Sequence, residues 1–157
     1  MDEVYPMIPV ASKTLWLLGG FSVLITVVLA ALIVGLAMTT YAAGHTRVRV
    51  DTAGLTIEGD PVFGRSVSWS DLEHGRATVV PIAGEAPHRP RVRTFGTGMP
   101  GYGAGWFRLA SGEKALVFMT GGARALHVPT RSGWSLLVTV ADPDALAERV
   151  RRGQGGS

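Results

Sequence analysis

Four histidines, His45, His74, His88 and His127, are the chain's candidate metal ligands and proton carriers, and cysteine is absent. No two of them stand four residues apart and no thiolate accompanies them, so their spacing spells out no metal site. His127, between Leu126 and Val128, reads as part of the solvent face of a strand. Ser66, Ser68 and Ser70 alternate with apolar residues, and the glycines that lift a nucleophilic serine onto a sharp turn are missing around them. Asp71 and Glu73 follow Trp69 in a turn-like stretch, with no further carboxylate pattern to make an acid–base pair. The expectation is a protein that is not an enzyme, with no catalytic residue, no metal and no cofactor.

The denser chemistry lies further on. Gly96, Gly98 and Gly101 have the spacing of a dinucleotide-binding fingerprint, but that motif must open a helix, and Pro100, Gly103 and Gly105 stand where the helix would begin. Arg91, Arg93 and Arg108 flank these glycines, and Tyr102 and Trp106 lie among them. Exposed amides, guanidinium groups and aromatic rings can together hold a small anion or a lipid headgroup. Arg91, Arg93, Gly98, Gly101, Tyr102, Trp106 and Arg108 are therefore the candidate ligand- or partner-binding residues. The same residues also describe a solvated strand face with core or edge aromatics, its glycines serving tight turns.

The elements that must position these groups begin with a long apolar run. Residues 14–44 contain no charge, and residues 15–38 include seven Leu, two Ile, four Val and one Phe. As a helix, 24 residues at ~1.5 Å each reach about 36 Å, enough to cross a hydrocarbon core of ~30 Å. At about −0.3 to −0.6 kcal/mol each, those apolar side chains favour insertion by up to roughly 4–8 kcal/mol. Trp16 and Tyr41 stand at the two ends, where amphipathic rings prefer the headgroup level, and Lys13 can snorkel to the near interface. A signal peptide would have a shorter apolar stretch behind a basic segment, whereas this one is preceded by two acids and one lysine. Ala31 and Gly35 make a small-xxx-small pair that would let two such helices pack closely as a homodimer.

After a tail at 1–13, the membrane helix at 14–38 and a linker at 39–45, the hydrophobic period changes from helical to two. Arg47 to Val50 and Leu55 to Glu58 alternate around a turn beginning at Asp51, which reads as a hairpin. Val67 and Trp69 face a core, with serines outward. Residues 77–82 form another strand. Residues 83–105, rich in glycine and proline, read as a long loop with at most a short strand at 91–95. Strands follow near 106–109, 115–119, 125–128 and 134–140, the second of these apolar on both faces and hence central. Asp142 then caps a helix with Pro143 in its first turn, Asp144 near its positive end and Arg149, Arg151 and Arg152 near its negative end. Gly153 stops it, leaving a tail at 153–157. The fold class is an N-terminal transmembrane helix plus a mainly-β barrel or sandwich, at 46–152, closed by one C-terminal helix.

Residues 93–120, with an Arg-Thr-x-Gly-x-Gly-x-Pro-Gly-Tyr run, then Gly105-Trp106, then a hairpin ending in an apolar strand and Thr120, resemble the bacterial pleckstrin-homology-like (PH-like) domain family. Val128-Pro129-Thr130 and Asp142-Pro143 fit the family's closing strand and helix, so the resemblance covers about residues 46–150. It implies a PH-like fold beside a membrane helix and no catalytic residue.

The whole chain carries a formal charge of +3, and every Lys and Arg except Lys13 follows the apolar run. Arg47, Arg49 and Arg65 just beyond it place the C-terminal domain on the cytoplasmic side of the cell membrane by the positive-inside bias. The basic residues are dispersed, so no nucleic-acid partner is expected. The functional expectation is a single-pass membrane protein whose PH-like domain is an interaction or scaffolding module with a protein partner yet to be identified. The alternative is a lipid-headgroup or small-anion sensor built on the glycine-rich segment.

Overall fold

The computed structural model describes residues 12–99 and 101–153. Most of each expected terminal tail, and Pro100, lie outside them. The chain divides into two units, Met1–Met38 and Thr39–Ser157.

Helix α1 runs from Ser12–His45. Its segment Leu15–Met38, 24 residues long, is apolar and long enough to cross a membrane, and none of it is buried within the protein. Trp16, Phe21, Leu24, Leu32 and Ile33 are all more than half exposed. A soluble helix would hide such a surface against a core. The expected linker at 39–45 is instead the last two turns of α1. Tyr41 and His45, one turn apart, stack with ring centroids 4.1 Å apart, and His45 Nδ1 bonds the Tyr41 carbonyl at 2.9 Å. Neither a proline nor a long polar run interrupts the helix there.

The second unit holds nine strands among the described residues. Strands β1 (Arg47–Val50), β2 (Gly54–Glu58) and β3 (Ser66–Ser68) form an antiparallel sheet. The turn between β1 and β2 is built by Asp51, whose Oδ1 accepts from the Ala53 and Gly54 amides at 2.8 and 3.1 Å. Val67 and Trp69 are buried while Ser66, Ser68 and Ser70 are exposed, as the alternation predicts. Trp69 Nε1 donates to the Asp51 carbonyl at 3.0 Å, tying the end of β3 to that turn.

The larger sheet contains β4 (Thr78–Pro81), β5 (Pro90–Met99), β6 (Tyr102–Leu109), β7 (Lys114–Met119), β8 (Arg124–Pro129) and β9 (Ser135–Val138), in the spatial order β4-β8-β9-β7-β6-β5. β7 is internal, as its apolar faces require. β9 is also internal and all four of its residues are buried. β9 runs parallel to β7 and antiparallel to β8, so the chain crosses over between β7 and β8 rather than continuing hairpin by hairpin.

The expected loop at 83–105 is corrected by this sheet. Its second half is a long hairpin in which Gly96 faces Gly105 and Gly98 faces Gly103 across the strands. At Gly96 and Gly105 the missing side chains let the two backbones approach closely. A Cβ on Gly105, whose φ is +125°, would lie 2.5 Å from both the Gly96 Cα and the Phe95 carbonyl oxygen. Only residues 83–89 remain a connecting loop.

Helix α2 (Pro143–Arg152) is capped as its sequence predicts, Asp142 Oδ1 accepting from the Ala145 amide at 2.9 Å. Arg151 Nε donates to the Ala77 carbonyl at 2.8 Å, and Arg124 pairs with Asp144 at 3.0 Å. The main core joins three layers: Leu55, Ile57 and Val67 from the small sheet, Leu116, Phe118, Leu126, Val128, Leu136 and Val138 from the large one, and Ala147 and Val150 from α2. The opposite face of the large sheet carries a second cluster, with Val80, Leu109, Ala115, Val117, Ala125 and Leu137, and Ile82 just after β4.

Candidate functional site

The seven residues singled out in the glycine-rich segment do not converge. Tyr102 is buried at the turn end of the β5–β6 hairpin, its hydroxyl 3.2 Å from Asp60 Oδ2. Asp60 Oδ1 accepts from the amides of Val62 and Phe63 at 2.9 and 2.8 Å, so this pair fastens the β2–β3 connection to β6. Burial first, and then the Asp60 carboxylate, push the Tyr102 hydroxyl up to about 12 from its ordinary 10.0, with a hydrogen bond from Thr46 opposing them. Trp106 packs edge to face on Trp134 at 5.2 Å, and Lys114 Nζ lies 4.5 Å from the Trp106 ring centroid. Arg108 donates to the Gly112 carbonyl at 2.9 Å in its own turn. Gly98 and Gly101 belong to the hairpin and its turn. Arg93 stands beside Gly98, and Arg91 lines a shallow cleft of about 330 Å³ with Arg89, Glu85 and Ala110.

What the hairpin does present is an outer row. β5 has β6 on one side and no further strand on the other among the described residues. Arg91, Val92, Arg93, Thr94 and Phe95 along it are exposed, Phe95 at 66%. The pairing slips between Pro90 and Val92 and again between Arg93 and Phe95. Such bulges, with arginines, are devices that keep an edge from pairing indiscriminately.

A second grouping was not legible from spacing. His127 is not on a solvent face: it is 7% exposed, because both of its strand's neighbours are in place and the 83–89 connection crosses that side of the sheet. The connection is held by backbone bonds to the β6–β7 turn, the Ala110 amide to the Arg89 carbonyl at 2.9 Å and the Ser111 amide to the Pro87 carbonyl at 2.8 Å. These bonds carry His88 over the sheet, where its ring lies 4.6 Å from that of His127, tilted by 56°. Glu113, in the same turn, places Oε2 3.2 Å from His127 Nε2. One donor atom from each of His88, Glu113 and His127 lies within 4.8 Å of the other two. Burial lowers the His127 pKa below the ordinary histidine value, with the nearby charges of His88 and Arg76 adding to the effect and Glu113 opposing it. Burial thus favours the neutral imidazole of His127. Its contact with Glu113 has the geometry of a hydrogen bond.

Comparison with known protein families, with curated proteins and with solved structures finds no match to this chain.

Proposed function

We propose that this chain is a single-pass membrane-tethered interaction module: α1 spans the membrane, and a PH-like β domain on the cytoplasmic side offers its β5 edge to an extended, acidic segment of a partner protein. The observation that carries the reading is the apolar stretch Leu15–Met38, unburied along its whole length. The two-sheet domain closed by a C-terminal helix supports the PH-like assignment, though the parallel pairing of β7 and β9 is a feature that the sequence pattern did not anticipate.

An edge strand binds an incoming segment through its outward backbone groups, and its side chains select the sequence. On β5 that selection would come from Arg91 and Arg93, which favour carboxylates, and from Val92 and Phe95, which supply apolar anchors. The bulges restrict pairing to short stretches and so favour one partner over self-association. The dispersal of the glycine-segment residues argues against an anion pocket built from amide groups.

The test is site-specific photo-crosslinking of the full chain in its native membrane. A photoreactive residue at Val92 or Phe95 should give a discrete protein adduct, lost on charge reversal at Arg91 and Arg93. One at Ser66, on the exposed face of the small sheet, should not. Adducts to lipid alone would replace this reading with the headgroup-sensing one, and equal labelling at all three positions would refute an edge-specific partner.

A further inference from the structure

We infer that His88, Glu113 and His127 form a binding site for a divalent transition-metal ion of the zinc class. Three segments distant in the chain deliver these groups to one spot: the connection after β4, the β6–β7 turn and the middle of β8. Two backbone hydrogen bonds brace the first two against each other, so the main chain holds these two segments together.

The distances suit a metal. Tetrahedral coordination with bonds of ~2.0–2.1 Å separates donor atoms by about 3.3–3.4 Å. His127 Nε2 and Glu113 Oε2 are already 3.2 Å apart, and no donor in the trio is more than 4.8 Å from another. The longer separations, up to 4.8 Å, shorten on binding through His88 and Glu113, both half-buried. Two imidazoles and one carboxylate suit zinc and its first-row neighbours, whereas calcium and magnesium favour all-oxygen shells. Three protein donors leave a position for water or a ligand atom.

The hydrogen-bonded pair of Glu113 and His127 alone would not account for His88, which brings a second imidazole against a buried histidine. The same side of the sheet also holds Ser135. Its hydroxyl is fully buried without a hydrogen-bond partner. The register places it on the His127 side of the sheet, since it alternates with Leu136 and shares a face with Leu137, which lies opposite His127. Arg76 adds a positive charge that works against a cation, and its pairing with Glu73 reduces that opposition.

The test uses the full chain in detergent micelles, stripped with a chelator and then titrated with zinc against a chromophoric competitor. The expected result is one equivalent bound per chain. Cobalt should bind in its place with the intense visible absorption of low-coordinate geometry, and millimolar magnesium should not displace it. His88→Ala and Glu113→Gln, each checked for a native circular dichroism spectrum, should weaken zinc by more than about 100-fold, since even outer partners of metal ligands cost 10–100-fold. If one variant fails to fold, the other decides. His74→Ala should bind as the parent does. Absence of stoichiometric zinc at micromolar free metal overturns the proposal, as does unchanged affinity in a folded His88 or Glu113 variant.

Discussion

Replacing Tyr102 by Phe removes one oxygen atom, and its consequences follow from the Asp60 geometry. Asp60 is 9% exposed and Tyr102 7%, so neither group has bulk water as a ready substitute. The amides of Val62 and Phe63 hold Oδ1, whereas the phenol serves Oδ2. A hydrogen bond to a charged group contributes roughly 1.5–3 kcal/mol. At 3.2 Å this one is longer than the ~2.7–2.8 Å usual for hydroxyl donors, so about 1–2 kcal/mol is expected. For a domain of this size that lowers the Tm by roughly 4–8 °C. The effect must also depend on pH. The folded-state pKa of Tyr102, about 12, lies above the unfolded value of 10.0. The folded protein therefore keeps a proton that the unfolded chain releases. The stabilisation is complete below pH 10 and is lost as pH rises from 10 towards 12. Denaturant unfolding of the full chain in micelles, followed by tryptophan fluorescence from pH 8 to 11.5, reads both effects. The gap between parent and variant should be constant up to pH 10 and then narrow. A gap of zero at pH 8, or one that stays constant to pH 11.5, would refute the proposed network.

Other substitutions probe the remaining parts. Gly105→Ala should break the β5–β6 hairpin and cost more than about 3 kcal/mol, because its methyl would lie 2.5 Å from the opposite backbone and its φ is unsuited to a side chain; amide exchange along β5 should show it. Asp142→Ala should cost about 1 kcal/mol in unfolding midpoint through loss of the α2 cap. Ser135→Ala should leave the chelator-stripped protein as stable as the parent or more so, because an unpartnered hydroxyl is removed from the interior; a loss above ~1 kcal/mol would mean that the hydroxyl is satisfied.

What could be read from the chain beforehand follows a physical division. α1, α2 and the first hairpin are specified by local signals: an uncharged apolar run, an Asp-Pro cap with arginines at the far end, and alternation around Asp51. The β5–β6 hairpin is hidden from local reading because glycine and proline are local turn signals, whereas here glycine pairs with glycine across two strands and the signal lies in the pairing. The parallel contact of β9 with β7 has no local signature. The same holds for the candidate site. Tyr102 and Trp106 looked available while only their neighbours in sequence were known, and both are claimed by distant partners, Asp60 and Trp134. His88, Glu113 and His127 carry no motif spacing, because backbone bonds between the 83–89 connection and the β6–β7 turn are what bring them together. The one accessible hint was a histidine in the middle of the apolar strand Ala125 to Val128, a place where an unpartnered imidazole would be costly.

The proposed tether requires that α1 stay in the chain and hold the β domain at a membrane. Expression of the full chain, alkaline carbonate extraction of the membranes and intact-mass analysis of the recovered protein test it directly. An uncleaved α1 predicts protein in the extracted membrane pellet at the mass of all 157 expressed residues. Soluble protein beginning near the end of the apolar segment would contradict it, because α1 would then be a removed signal sequence rather than an anchor.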